Sequence, residues 1–244
     1  MTEPCRHITG SAKSGLLLIA DHASNHVPDD INLDIDPVLL TRHMAIDIGV
    51  APLGELLCER LDMTGLFGPV SRLVLDLNRE EDAAGLIPAE SDGFAIPGNA
   101  VLDAAGRTAR IDRFWRPYHG FIASMIDRLA PKLIISLHSF TPRLTSRPDE
   151  GRPWQVGILY NQDDRAAHIG IWALRAANVI TGDNEPYSGK VLNATMNLHA
   201  EGNGIPYLGI EVRQDLIGDD AGVTQWADVL APVIEAVRAA VTPA

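Results

Sequence analysis

Five apolar residues, Leu16-Leu17-Leu18-Ile19-Ala20, run without interruption and then give way at once to Asp21-His22-Ala23-Ser24-Asn25-His26, with Pro28 close behind. A run this short, ended by a polar turn, reads as a strand buried on both faces. Such strands belong to parallel sheets covered by helices. In open sheets of that kind, ligands gather at the carboxyl ends of the strands. Two histidines, a carboxylate, a hydroxyl and an amide directly after one such strand make a site candidate. A capped, hydrogen-bonded turn is the alternative.

The pattern recurs along the chain. Leu133 to Leu137 runs straight into His138-Ser139-Phe140-Thr141-Pro142. Residues 71–79, SRLVLDLNR, alternate as a strand, which puts Arg72, Asp76 and Asn78 on one face and Arg79 on the other. In residues 207–213, Leu208, Ile210 and Val212 point one way, and Gly209, Glu211 and Arg213 the other. Residues 154–160 form a further strand, and Val179-Ile180 starts a short one. Helical periodicity covers 38–48, with His43 and Asp47 on one face, and resumes over 53–62. It returns over 107–130, where Pro117 predicts a kink or a second start, then over 164–177, 195–201 and 223–241. Gly65 and Gly68 read as a turn. Residues 1–14 read as irregular, and 80–106 as a long loop of the kind that covers binding sites. Strands alternating with helices imply an α/β sandwich with a largely parallel sheet, and 244 residues suit one domain, 1–244.

Charges in strands that otherwise look buried need a partner, a metal or a ligand. Four such places in one sheet favour a shared site. Two histidines at separate strand ends plus a carboxylate are the ligand types of a catalytic Zn²⁺ that keeps an open position. A second carboxylate, free of the metal, could take a proton from the activated water. Arginines and an asparagine supply what an anionic substrate and a developing oxyanion require. Arg213 shares a face with Glu211. It either pairs with that carboxylate, which would weaken it as a base, or binds substrate; the substrate role is favoured. Arg147 and Arg152 are a solvated loop face or reach a side-chain carboxylate of the substrate.

The formal charge of −12 argues against nucleic acid or an anionic membrane as partner. The N-terminus has no basic-then-apolar signal architecture, and no apolar run is long enough to span a bilayer. Cys5 and Cys58 are expected to be reduced thiols in a cytoplasmic protein.

The motifs DHASNHVP, HMAIDIG, SRLVLDLNR, SDGFAIPGN, RPYHG, LHSFTP, RPWQVGILY, GDNEPYSG and IEVRQDLI, in this order from about residue 16 to about 230, resemble the N-formylglutamate amidohydrolase family. That family is similar at a distance to zinc carboxypeptidases and aspartoacylases. The resemblance implies a three-layer αβα sandwich around a mixed, mostly parallel sheet of the phosphorylase/hydrolase-like kind. It implies hydrolysis of a small anionic N-acyl amino acid, in the type case N-formyl-L-glutamate to formate and glutamate. By the same resemblance His22 and His138 match metal ligands, and Glu211 matches the general base. Arg72 matches the arginine that polarises the scissile carbonyl. Asn78 and Arg79 match the pair that grips the α-carboxylate, and Ser139, beside His138, is expected at the substrate. The carboxypeptidase-like pattern is His-x-x-Glu, and here its fourth residue is Asn25. Asp47 is therefore the expected carboxylate ligand to Zn²⁺ or another divalent metal, with Asn25 left as a neighbouring or weak ligand. Another acyl substrate, a short peptide, or a non-catalytic carboxylate-binding domain remain the alternatives.

Overall fold

The computed structural model describes residues 4–242. The strands in chain order are β1 (Arg6–Ile8), β2 (Leu16–Ala20), β3 (Thr64–Phe67), β4 (Glu90–Ser91), β5 (Phe94–Ala95), β6 (Leu133–Phe140), β7 (Val156–Leu159), β8 (Thr181–Asp183) and β9 (Tyr207–Arg213). The helices are α1 (Val50–Leu61), α2 (Pro97–Ala100), α3 (Ala104–Arg110), α4 (Arg116–Leu129), α5 (Arg165–Ala176), α6 (Ala194–His199) and α7 (Asp220–Val241). Seven strands form one sheet in the order β1-β3-β2-β6-β9-β7-β8. The centre, β3-β2-β6-β9, is parallel; β1 joins β3 and β7 joins β9 antiparallel, so the sheet is mixed.

Both faces of this sheet are covered, as the uninterrupted apolar runs require. Leu16, Leu18 and Ala20 of β2 share a core with Leu133, Ile135 and Leu137 of β6 and with buried residues of α1, α5 and α7. Leu17 and Ile19 face the other way, into a core with Ile134, Tyr207 and residues of α4 and α6. The result is three layers, αβα. In β9, Leu208, Ile210 and Val212 join the first core, so Gly209, Glu211 and Arg213 belong to the opposite face, as the alternation implies. No helix among the described residues is long and apolar enough to cross a membrane.

Several expectations are corrected. Residues 71–79 are not a strand. The Val74 N–H donates to Ser71 O, Asp76 N–H to Leu86 O and Asn78 N–H to the Asp76 carboxylate, so the backbone is satisfied by turns and by the following loop instead of by a ladder. The alternating leucines arise because this turn-rich segment is buried among several elements, and alternation alone does not distinguish that from a ladder. The strand that follows α1 in the sheet is instead β3, in the stretch read as a turn, and it pairs with β2. Its glycines mark close approach: a Cβ at Gly68 would lie 1.9 Å from Asp21 O. Residues 38–48 are not an α-helix either. A 3₁₀ turn over Pro37–Thr41 gives way to irregular chain, and α1 starts only after Gly49. Gly49 has φ +80°, and a Cβ there would meet Ile217 O at 2.1 Å. Strand β1 lies in the stretch expected to be irregular; its mostly exposed edge position leaves no apolar alternation to read. The long helix expected over 107–130 is α3 and α4 joined by a π-helical turn, Ile111–Trp115. That turn ends just ahead of Pro117, which has no N–H to keep the α-helical register. The 80–106 loop holds the small hairpin β4-β5 and α2.

Candidate metal centre and active-site cavity

The cavity opens at the carboxyl ends of β2, β6 and β9 and has a volume of about 850 Å³. The sheet itself places the inner wall. His22 follows β2 by two residues. His138 lies in β6, opposite Glu211 of β9 in the parallel register. Asp47 is brought in by a loop whose backbone N–H donates to His22 O at 3.0 Å.

His22, Asp47 and His138 each offer a ligand atom, and these atoms lie within 4.8 Å of one another. Nδ1 of His22 lies 3.4 Å, and Nδ1 of His138 2.9 Å, from the same Asp47 oxygen, Oδ2. The imidazole centres are 5.0 Å apart. Each ring turns its other nitrogen to a second buried carboxylate: His22 Nε2 to Asp76 Oδ1 at 2.6 Å, and His138 Nε2 to Asp21 Oδ2 at 3.4 Å. Asp21 is in turn held by the Tyr118 hydroxyl, which donates to it at 2.8 Å. A carboxylate behind each histidine is the arrangement that fixes a metal ligand's tautomer and raises its basicity. Two buried atoms of the inner wall that face the centre lack a hydrogen-bond partner among the described residues, His22 Nδ1 and Glu211 Oε2. Leaving such atoms unsatisfied is costly, and a divalent cation between the histidines and Asp47 fits this donor set.

The electrostatics follow from burial and close pairing. Burial alone would raise the Asp47 and Asp76 pKa values. The positive charges beside them, with His22 foremost for Asp47 and Arg72 for Asp76, outweigh it and hold both carboxyls well below the usual range. Burial opposes charge on His22 and His138 as well, yet the surrounding carboxylates raise both. Glu211 is different. Burial pushes it up to about 7, with His138 and Arg72 opposing and Asp47 adding to the rise. A carboxyl poised there can both accept and release a proton near neutrality.

The turn-rich segment 71–79 brings Arg72, Asp76, Asn78 and Arg79 to the same cavity wall, whereas a strand would have put Arg79 on the opposite face. Arg72 donates to Asp47 Oδ1 at 3.1 Å and to Asp76 Oδ2 at 3.3 Å. Arg79 Nε lies 3.5 Å from Asp76 Oδ2. The Asn78 carbonyl oxygen accepts from Thr195 N–H, which leaves its amide NH₂ for a ligand. Behind this segment His119 donates from Nε2 to Leu77 O, and Trp115 Nε1 donates to Arg79 O. His199 stacks on His119, with a nitrogen 2.9 Å from His119 Nδ1.

Two expected contacts fall elsewhere. Arg213 does not line the cavity. It makes a two-pronged ion pair with Asp215, two residues on, because the strand ends there and the chain turns back. Asn25 is exposed, and its amide donates to Leu40 O, so it is not among the metal-type ligands. Ser139 lines the cavity, but its hydroxyl donates to Ile48 O and its N–H to Asp47 Oδ2, so it steadies Asp47. His43 turns to Asp92 at 3.0 Å instead of to Asp47. Sequence reading gave Asp21 and Asp76 no role behind the histidines. The available signal was their position: Asp21 adjoins His22, and Asp76 follows Arg72 by four residues in an apolar run.

The model of a family described as N-formylglutamate amidohydrolase matches residues 14–218 of the chain. Among solved structures, gene product Atu2144 of Agrobacterium tumefaciens is similar with a TM-score of 0.90 at 29% identity, over 96% of this chain and 94% of that one. The N-formylglutamate amidohydrolase of Ralstonia eutropha JMP134 is similar in fold, with a TM-score of 0.67 at 20% identity, over 93% of this chain and 92% of that one. No curated protein matches the sequence.

Proposed function

The chain belongs to the N-formylglutamate amidohydrolase family, and from that membership we propose that this amidohydrolase is metal-dependent and cleaves the N-formyl or other N-acyl amide of a carboxylate-bearing amino acid. N-formyl-L-glutamate is the type substrate, giving formate and glutamate. The observation that carries the reading is the convergence of His22, Asp47 and His138, with the unpartnered, raised Glu211 alongside. Zn²⁺ or another divalent cation held by those three residues would act as a Lewis acid toward water and the scissile carbonyl. Glu211 takes a proton from the attacking water and passes it to the departing amine nitrogen. Arg72 faces the developing oxyanion while its partners Asp47 and Asp76 keep it in place. Asn78 and Arg79 take the α-carboxylate of the substrate.

Formate release from N-formylglutamate, measured together with metal content, tests this. Wild-type protein should bind close to one divalent ion and lose turnover on chelation. His22→Ala and His138→Ala should lose both metal and activity. Activity that survives both substitutions in metal-free protein would overturn the reading. The cavity, about 850 Å³, has room for a larger acyl group than formyl. A series of N-formyl, N-acetyl and N-succinyl glutamates separates these cases.

A further inference from the structure

Asn193 lines the cavity and is 7% exposed. It is the N-cap residue of α6, and an asparagine in that place normally accepts from the first N–H groups of the helix through Oδ1. Here its side chain does not cap the helix. Thr195 N–H, two residues on, donates to Asn78 Oδ1 at 3.0 Å instead. The cap is thus supplied by the segment that carries Arg79, and Asn193 Oδ1 is left over.

A chain of donors fixes which way the Asn193 amide points. It starts at Glu201, whose carboxylate accepts from Gln162 N–H at 2.9 Å, Asp163 N–H at 3.0 Å and the Tyr207 hydroxyl at 3.0 Å. Tyr207 has one hydroxyl proton, and Glu201 takes it. The phenol oxygen can therefore only accept from its other neighbours, Asn161 N–H at 2.9 Å and Asn193 at 2.8 Å. The Asn193 atom that faces it must be Nδ2. The second proton of that nitrogen goes to Asn197 Oδ1 at 2.9 Å. Both N–H groups are spent inside the fold, and the carbonyl oxygen has no partner among the described residues. It is the part of Asn193 left for the cavity.

Two neighbours place this oxygen. Tyr207, Gly209 and Glu211 alternate onto one face of β9, and Gly209, which lines the cavity with Glu211, puts no side chain between Tyr207 and the base. The Thr195–Asn78 bond sets Asn193 beside Asn78, which with Arg79 takes the α-carboxylate. In an N-acyl amino acid the amide nitrogen and the α-carboxylate share one carbon atom. An acceptor next to the carboxylate clamp is therefore within reach of that nitrogen. Arg72, Asn78 and Arg79 all offer donors to the substrate, whereas its amide N–H needs an acceptor. Resting on the amidohydrolase reading above, we propose that Asn193 Oδ1 accepts the N–H of the scissile amide and so selects secondary amides. As the C–N bond breaks, its electron pair stays on nitrogen, and the proton that Glu211 took from water moves to that nitrogen. The nitrogen gains positive charge, and its N–H bond to a fixed carbonyl oxygen strengthens as it does so.

The test uses full-length, metal-loaded protein and two near-isosteric substrates. One is N-formyl-L-glutamate; the other is the formate ester of L-2-hydroxyglutarate, in which oxygen replaces the amide N–H. Rates are corrected for spontaneous hydrolysis. Asn193→Ala should lower kcat/KM on the amide about 10- to 100-fold, mainly through kcat, and on the ester by no more than about threefold. Tyr207→Phe keeps Asn193 but removes the oxygen that orients its amide. It should cost the amide about threefold to tenfold and the ester less. Ester turnover also reports that the variants are folded and loaded, and a merely structural Asn193 would lower both substrates together. Should Asn193→Ala fail to fold, the amide-to-ester ratio of Tyr207→Phe decides alone. Equal losses on the two substrates, or no loss on the amide, overturn the Asn193 assignment and leave the amidohydrolase reading standing. Wild type that hydrolyses no amide overturns that reading and this proposal with it.

Discussion

The two walls of the cavity are built from different materials. On the inner wall Asp21, His22, His138 and Glu211 are 0%, 2%, 6% and 8% exposed, in or within two residues of central strands. Each is placed by the sheet register or by another buried side chain. The rim is made of loops. Asp92, at φ 46° beside the hairpin β4-β5, accepts from Thr145 N–H at 2.8 Å, from Ser146 N–H at 2.9 Å and from the Ser146 hydroxyl, and it meets His43. Those bonds tie three separate excursions of the chain together at the mouth, and Arg152 and Tyr187 belong to the same outer wall. Under the proposed mechanism, both histidines and the base are fixed by the sheet, while Asp47 and Arg72 reach them from loops pinned to it by buried hydrogen bonds. Selection falls to residues held by a few loop hydrogen bonds, which sequence change can alter without unfolding the protein.

Glu211→Gln is the sharpest way to break this comparison. The amide is nearly the same shape but cannot accept the water proton, so kcat should fall about 10²–10⁴-fold while metal content and substrate KM hold. The pH profile supplies an independent check. A base must be unprotonated, so kcat/KM should fall with one-proton slope as pH drops through the Glu211 pKa. Burial places that value at about 7, and a bound cation would draw it lower. An acid limb that persists in Glu211→Gln would show that another group titrates.

A smaller effect is expected one residue further out. Asp76→Asn leaves the ligand set intact but removes the charge from the carboxylate behind His22 and weakens the hold on Arg72. Metal affinity should fall about 10–100-fold. Competition against a chelator measures it, and an unchanged affinity would mean the backbone alone positions the imidazole.

Much of the inner wall is legible in the sequence because burial leaves few interpretations. Apolar runs ending at Asp21-His22 and at His138 announce buried strand ends, and the Glu211 alternation is realised in β9. The choice of Asp47 came from its residue type and from the unsuitability of Asn25, even though the helix expected to carry it does not form. Residues 71–79 show the limit. Leu73, Leu75 and Leu77 alternate as a strand would, yet all three are buried beside turns, because several elements converge on this segment. The roles of Asp21 and Asp76 depend on which imidazole nitrogen each one meets. That is a relation between positions 54 or more residues apart, which local pattern cannot supply. The rim is least legible of all, since Arg152 differs from Arg147 only in what lies next to it after folding.

The packing behind Asn78 and Arg79 predicts a pH effect on stability. His199 is buried, and burial together with neighbouring His119 lowers its pKa to about 4. The unfolded chain takes up a proton there near pH 6.5. Between these values the unfolded state binds a proton that the folded state refuses. Stability from this group is therefore complete above about pH 6.5 and declines as pH falls towards 4, by about 1–3 kcal/mol at most. Urea unfolding of wild type and His199→Gln at pH 7 and pH 5 should show a shallower loss in the variant. Equal losses would mean that the imidazole already titrates normally in the fold.

The smallest expected effect concerns the rim itself. In Asp92→Ala the N–H groups of Thr145 and Ser146 lose their acceptor, but both residues are exposed and water can replace it, so global stability should change by no more than about 1 kcal/mol. The consequence belongs to the loops. Amide exchange should quicken across 141–147 while the β6 core stays protected. If the rim governs what enters, KM should rise about threefold to tenfold with kcat nearly unchanged, since loop order lost in the free protein must be restored on binding. A fall in kcat of the size seen for Glu211→Gln would erase the distinction between the two walls. It would place Asp92, through His43, in the machinery assigned to the inner wall.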